Sequence, residues 1–264
     1  MLFNMAVAYG KFAAVYDRLM ADVDYDVWAR YLLVLLKEAG VQLGDAVLDC
    51  ACGTGEITLR LQREGYVLTG ADRSEEMLEV AQQKARKAGQ RIPFICQDMR
   101  NIALHKPVSA ITCACDGVNY LLSDADVEQF FAGAYHALKE GGLLLFDVSS
   151  AYKLQQILGN QTYGEDGRDC TYLWQNCYDP KSGLLEMRLA FFQPDGQGKY
   201  TRFDERHIQR AHQTDDLARA LARAGFTVVG IYDAFTTGQP TETSERIQFA
   251  ARKGTAGTNK NNKQ

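Results

Sequence analysis

The run Val47-Leu48-Asp49-Cys50-Ala51-Cys52-Gly53-Thr54-Gly55-Glu56-Ile57-Thr58 constrains this chain more than any other segment. An apolar strand runs into a turn with glycines at 53 and 55, and a helix opens directly after it. Glycine at those positions lets the backbone turn sharply and lets a ligand approach without a Cβ in the way. A helix that starts there aims backbone N–H groups into the crevice at the strand ends. This is a nucleotide-type site, with an ordinary tight turn as the plain alternative. A dinucleotide fingerprint would need a third glycine where Thr58 stands, so that pattern is incomplete.

The loop from Asp49 to Gly55 reads D-x-A-C-G-T-G and resembles motif I of the class I S-adenosylmethionine (SAM) methyltransferases. The resemblance implies SAM as cofactor, with Asp49, Cys52, Gly53 and Gly55 in the cofactor loop. The second strand, Tyr66 to Ala71, ends at Asp72, where an acid is placed to accept from both ribose hydroxyls. Arg73 follows it, and Ser74 opens a helix with acids in its first turn. Met77 and Leu78 on that helix are apolar contacts for the cofactor or plain core. After the third strand, Ile92 to Cys96, Asp98 and Met99 match the family's adenine-binding positions. The fourth strand, Val108 to Cys115, ends at Asp116. The fifth, Gly142 to Val148, follows an amphipathic helix that starts near Ser123 and Asp124. Acids at three successive strand ends, in order with the glycine loop, single out a cofactor site over a bare turn.

Near the end, Thr214-Asp215-Asp216 caps a helix with Leu217, Ala220, Leu221 and Ala224 on its apolar face, closed by Gly225. Strands follow at Phe226 to Tyr232 and Glu245 to Ala251. The link between them is too short for a crossover helix, so this pair is antiparallel. The expected fold is α/β: a Rossmann-like seven-stranded sheet with an antiparallel last strand in a three-layer αβα arrangement, plus a small antiparallel β insertion. The core spans residues 41–150 and 212–253. A helical lid occupies 1–40, a β-rich substrate insertion 151–211, and a polar tail without periodicity 254–264, read as disordered.

The chain has 264 residues, 46% apolar, and a net charge of −4, so it can bury a substantial core but shows no basic face for nucleic acid. The basic clusters Lys84 to Arg91 and Arg202 to Arg210 are short and interrupted. No apolar run is long enough to span a bilayer and no signal peptide is visible, which points to a cytoplasmic protein. The seven cysteines include the pairs Cys50/Cys52 and Cys113/Cys115 on neighbouring strands. Alternate strand residues point to opposite faces, so small core residues are preferred to a four-cysteine metal site. No catalytic metal is expected.

Tyr9, Phe12, Tyr16 and Trp28 recur on a helical stretch from Tyr9 to Met20 that resumes near Tyr25. In related small-molecule methyltransferases a Tyr-Asp pair closes over the cofactor's methionine end, and Tyr16-Asp17 sits where that pair would be. An aromatic lid suits a sulfonium, because it excludes water and presents a π face to a cation. The insertion holds three β-rich segments, 171–178, 184–193 and 199–211, joined by turns at 179–183 and 194–198. It resembles the arrangement in glycine- and aminosugar-type N-methyltransferases, with the sheet placed over the active site. Asn119 and Tyr120 after the fourth strand are candidates to orient an amine or hydroxyl, and His207, Glu205 and Tyr120 are candidate bases, or packed structural residues. The reading is methyl transfer to nitrogen or oxygen of a small molecule, by a monomer or homodimer. The alternatives are an RNA or protein substrate, weakened by charge and by the missing asparagine-proline-proline-tyrosine motif, and a SAM-binding module without catalysis.

Overall fold

The computed structural model describes residues 12–254. In the large sheet, β1 (Ala46–Cys50), β2 (Val67–Asp72), β3 (Phe94–Cys96), β4 (Val108–Cys113) and β5 (Leu138–Ser149) run parallel. The last two strands are β10 (Phe226–Asp233) and β11 (Arg246–Lys253), and β11 lies between β5 and β10, antiparallel to both. The order β10-β11-β5-β4-β1-β2-β3 confirms the seven-stranded sheet and its antiparallel end.

Side-chain alternation along the strands builds the two faces. One face carries Leu48, Cys50, Ile111 and Phe146 against Phe130, Phe131 and Ala134 of α5 (Asp124–Ala137) and Leu217 and Leu221 of α6 (Thr214–Arg223). The other carries Val47, Leu68 and Leu145 against Trp28, Leu32 and Leu36 of α2 (Tyr25–Glu38) and Ile57 and Leu61 of α3 (Glu56–Arg63). Phe146 and Phe249 stack across β5 and β11 at 4.8 Å between ring centres. Helix α5 starts at a complete capping box, Ser123 with Asp126.

Some boundaries differ from expectation. β3 is cut to three residues, beginning after Pro93, which has no N–H to donate. Thr214 is the first helical residue of α6, and Gln213 holds the cap position without a side-chain bond, so the expected Thr-Asp-Asp cap is not formed. The N-terminal helix is α1 (Ala13–Leu19); Tyr9 lies outside the described residues, as does the tail beyond Gly254.

The insertion is a four-stranded antiparallel meander: β6 (Thr162–Asp166), β7 (Thr171–Asp179), β8 (Leu184–Pro194) and β9 (Tyr200–Arg210). The first of these was not expected, because Thr162-Tyr163-Gly164-Glu165-Asp166 is polar and mostly exposed, an edge strand with one weak apolar position. On β9 the alternate residues Phe203, Glu205, His207 and Gln209 are buried and face the core.

Candidate functional site

A cleft of about 260 Å³ opens at the carboxyl ends of β1, β2 and β4. The glycine loop forms one wall. Ala51, Gly53 and Gly55 all have positive φ (55°, 52° and 79°), so the strand leaves the sheet through left-handed residues. Gly55 is the N-cap of α3, and a Cβ there would stand 3.1 Å from the Ala81 side chain. Cys52, Gly53, Thr54, Glu56 and Ile57 line the cleft. A Cβ on Gly53 would meet no protein atom within 4 Å and would narrow the space the loop leaves for a ligand.

Asp72 lines the cleft at the end of β2 and accepts from the backbone N–H of Gly53 and of Ser74, each at 2.9 Å. It thereby ties the glycine loop to the start of α4 (Glu75–Lys87), which Ser74 caps through the Met77 N–H. Burial pushes the Asp72 carboxyl above its ordinary range despite those bonds. Asp49 also lines the cleft and accepts from Thr58 Oγ1 at 2.5 Å and Thr112 Oγ1 at 2.8 Å. Its carboxyl is pushed up to about 6 by burial. Thr58, which broke the dinucleotide pattern, is therefore the donor that holds the loop's own acid.

Arg73, Met77, Asp98 and Met99 line the next stretch. Asp98 accepts from the Arg100 guanidinium at 3.0 and 2.6 Å, and Arg100 reaches on to Asp126 at 3.0 Å. Arg100 holds the Asp98 carboxyl below its ordinary range. Beside it, Gln97 Oε1 is buried and lacks a hydrogen-bond partner, an acceptor left over in the cleft wall. Gln97, Arg100 and Asp126 were missed by sequence reasoning. Arg100 and Asp126 meet only through folding, but Gln97 directly precedes Asp98 and could have been read with it.

Helix α1, which carries the Tyr16-Asp17 pair, packs beside the cleft. Tyr16 and, from α2, Tyr25 line it. Asp17 accepts from Thr54 Oγ1 at 2.6 Å and pairs with Lys84 Nζ at 2.8 Å, so α1 is tied to both the glycine loop and α4. Lys84 also pairs with Glu56. Burial pushes the Tyr16 hydroxyl up, so it stays protonated at neutral pH.

Beyond β4, Cys115, Gly117 and Tyr120 complete the cleft. Four expected site residues do not line it, Gly55, Asp116, Asn119 and His207, nor does the candidate base Glu205. Asp116 turns away to pair with Arg246 at 2.8 Å and to accept from Gln209 Nε2 at 2.8 Å. Asn119 is fully buried and its amide is fully engaged: it donates to the carbonyls of Ser149 and Arg210 and accepts from the Ser149 N–H. It staples the 3-10 turn Gly117–Tyr120 to β5 and β9 and has no donor left for a substrate. His207 lies behind Tyr120, with Nδ1 3.3 Å from the phenol oxygen, and Phe12 packs on its ring. Burial pushes the imidazole down to about 4, so it is neutral at pH 7. No residue of the insertion lines the cleft; β9 instead buttresses the 3-10 turn that does. That replaces the expected sheet lying directly over the site.

His212 is buried in the same way, its Nε2 3.2 Å from the Val118 carbonyl, and is likewise pushed down to about 4. Between the unfolded value near 6.5 and this folded value the unfolded chain binds more protons, so stability falls as pH drops through that window. Each histidine costs about 2 kcal/mol between pH 7 and pH 5. Asp49, pushed up, works the other way and offsets part of this. Chemical denaturation at the two pH values should therefore show His212→Gln losing about 2 kcal/mol less than the native chain. An identical loss in both would remove His212 from this account.

Among the described residues, no group of three His, Cys, Asp or Glu side chains is placed to hold a metal, and no helix is long and apolar enough to cross a membrane. Cys50 and Cys113 pack in the core while Cys52 and Cys115 line the cleft.

A family described as a methyltransferase domain matches residues 47–142. A candidate methyltransferase of Geobacillus sp. (strain WCH70) is 41% identical over 250 residues, 94% of this chain and 100% of that one. The crystal structure of a SAM-dependent methyltransferase from Clostridium acetobutylicum ATCC 824 superposes with a TM-score of 0.84 at 34% identity, covering 93% of this chain and 99% of that one. A sugar N-methyltransferase from Streptoalloteichus sp. ATCC 53650 shares the fold, with a TM-score of 0.77 at 19% identity over 96% of each chain. A glycine-loop cleft that pairs an acid at each of two strand ends, on a sheet with this antiparallel end and with relatives over more than nine-tenths of its length, leads to one assignment: the chain belongs to the class I SAM-dependent methyltransferases.

Proposed function

We propose that this enzyme transfers a methyl group to nitrogen or oxygen of a small molecule, by in-line displacement in the cleft between Tyr16 and Tyr120. The residues present fit the cofactor: Asp72 for the ribose hydroxyls, Asp98 and Met99 for the adenine, the Gly53 loop and the Tyr16 lid for the amino-acid end. When bound, SAM supplies an electrophilic methyl group on a sulfonium. The protein's part is to position the acceptor and exclude water, which are the main sources of rate in such a displacement.

The observation that carries the acceptor reading is Tyr120. Its ring lines the cleft, and its hydroxyl is held from behind by a buried, neutral histidine. A phenol so fixed can orient an amine or hydroxyl while tyrosines 16 and 25 line the same cleft. Because His207 titrates near 4, it binds a proton too weakly to serve as base at neutral pH. Its proposed role is to position Tyr120. A cleft walled by Tyr16, Tyr25 and Tyr120, in a chain of net charge −4, supports a small acceptor over RNA. Nitrogen acceptors are the first to test, since a relative of the same fold is a sugar N-methyltransferase.

The test is S-adenosylhomocysteine release from SAM across a panel of amino acids, amino sugars and hydroxylated aromatics. Turnover with at least one class is expected. For that acceptor Tyr120→Phe should lower kcat by about tenfold or more with SAM affinity unchanged. Unchanged kcat in that variant would take Tyr120 out of the reaction.

A further inference from the structure

Behind the cleft wall, two carboxylates and one guanidinium are packed where five elements meet. Asp147 on β5 is completely buried. It accepts from the backbone N–H of Asp116 at 3.0 Å and pairs with Arg246 of β11. The same guanidinium nitrogen pairs with Asp116 at 2.8 Å, and Gln209 of β9 donates to the other Asp116 oxygen. The Arg246 guanidinium also lies over the Trp28 ring of α2, 5.1 Å from its centre. Asp147 Oδ1 has no partner at all.

The backbone these groups hold is strained. Cys115 and Asp116 both have positive φ, 60° and 57°, in two successive residues that are not glycine. Such residues persist only where the surroundings over-determine them. The flanking residues Cys115 and Gly117 are cleft wall, and Tyr120 stands one turn further on. Below Gly117 the fit is tight, since a Cβ there would meet Cys113 Sγ at 2.9 Å and Ala51 at 3.1 Å.

We infer that Arg246 is a positioning residue for the methyl-transfer site: it neutralises Asp116 and Asp147 together and so fixes the left-handed Cys115-Asp116 turn that places Cys115, Gly117 and Tyr120 in the cleft. The inference rests on the cofactor cleft and not on which acceptor is used. Remove the guanidinium and two buried carboxylates face each other uncompensated. One of them must then take up a proton for the turn to survive. The other titratable and charged groups around them are Cys115 and Cys113 on and after β4, Tyr16 on α1, Tyr31 on α2, and Lys153, itself 3.6 Å from Glu245. Of these, only Lys153 carries positive charge toward Asp116, and it pairs with neither carboxylate. It therefore does not replace Arg246.

The experiment is calorimetric titration of the full chain with S-adenosylhomocysteine from pH 6 to pH 8, with thermal unfolding measured alongside. Affinities are read as ratios to the native protein at the same pH, because Asp49 in the same cleft is pushed up to about 6 and takes up protons in every variant. Arg246→Met should bind about tenfold more weakly or worse at pH 8 and recover as pH falls and one carboxylate protonates. Adding Asp147→Asn to that variant should restore most of the affinity and remove the pH dependence. Should Arg246→Met fail to fold, Arg246→Lys keeps the charge without the fork. It should then bind a few-fold more weakly than native, with a flat pH profile. Native-like affinity for Arg246→Met at pH 8 would overturn the inference. So would a loss that neither lower pH nor Asp147→Asn relieves, since that is the signature of general structural damage.

Discussion

Asp72→Ala is expected to weaken SAM binding by two to three orders of magnitude, read by calorimetric titration. Two contributions add. The carboxylate is the proposed acceptor for the ribose hydroxyls, and each hydrogen bond to a charged group contributes about 1.5–3 kcal/mol. The same carboxylate holds the Gly53 N–H and the Ser74 N–H, so its loss also frees the glycine loop from the start of α4. A total near 3–4 kcal/mol corresponds to the expected change in Kd. Asp72→Asn, which keeps the shape and one acceptor oxygen, should fall between native and alanine. Thermal unfolding of the variants without ligand separates a lost contact from a lost fold. Near-native affinity in Asp72→Ala would move the ribose contact to another residue and break the proposed arrangement of the cleft.

Gly70→Val is expected to lower the melting temperature by about 10 °C. The reason is space, since φ at Gly70 is not positive. A Cβ there would lie 2.6 Å from Phe94 Cδ1 and 3.0 Å from Cys52 Sγ. The Phe94 ring is wedged over Gly70 of β2, and it would also touch a Cβ on Gly55, at 3.5 Å, so it packs against the far end of the glycine loop as well. Phe94 belongs to the three-residue edge strand β3, which has a neighbour on one side only. Pushing the ring out detaches that strand and shifts Gln97 and Asp98, which follow it. Differential scanning calorimetry should show a loss of about 3 kcal/mol, and Phe94→Ala in the same chain should cost less than it does alone. A melting temperature unchanged by Gly70→Val would show that the wedge is not tight.

Much of the cleft was legible because it is built from local boundaries. A strand that ends in a glycine turn, or in an acid followed by a helix cap, is written in consecutive residues. Gly53 and Asp72 were placed at the cleft on that basis; Asp49, Cys52, Asp98 and Met99 came from the resemblance to the methyltransferase motifs, and Met77 was left between cofactor contact and core. The short link before β11 fixed its direction by length alone. What was not legible depends on partners distant in sequence. Asp116 looked like the other strand-end acids until Arg246 and Gln209 arrived from β11 and β9. Asn119 looked available because nothing in its neighbourhood shows that Ser149 and Arg210 take up its amide. Arg100, four residues past β3, carried no pattern to link it with Asp126. The insertion's β-rich segments were readable, but its role as a buttress behind Tyr120 depends on how it docks, and docking is a tertiary property. The polar edge strand β6 escaped because its pairing with β7 is made by backbone groups, which side-chain pattern does not report.

The most direct test of a small acceptor is to follow the methyl group. The purified protein is incubated with SAM carrying a labelled methyl and with a bacterial extract separated into small-molecule, RNA and protein fractions. Label should pass into the small-molecule fraction, and the transfer should fall at least tenfold with Tyr120→Phe. Label arriving in RNA or protein while the small-molecule fraction stays blank would contradict the account.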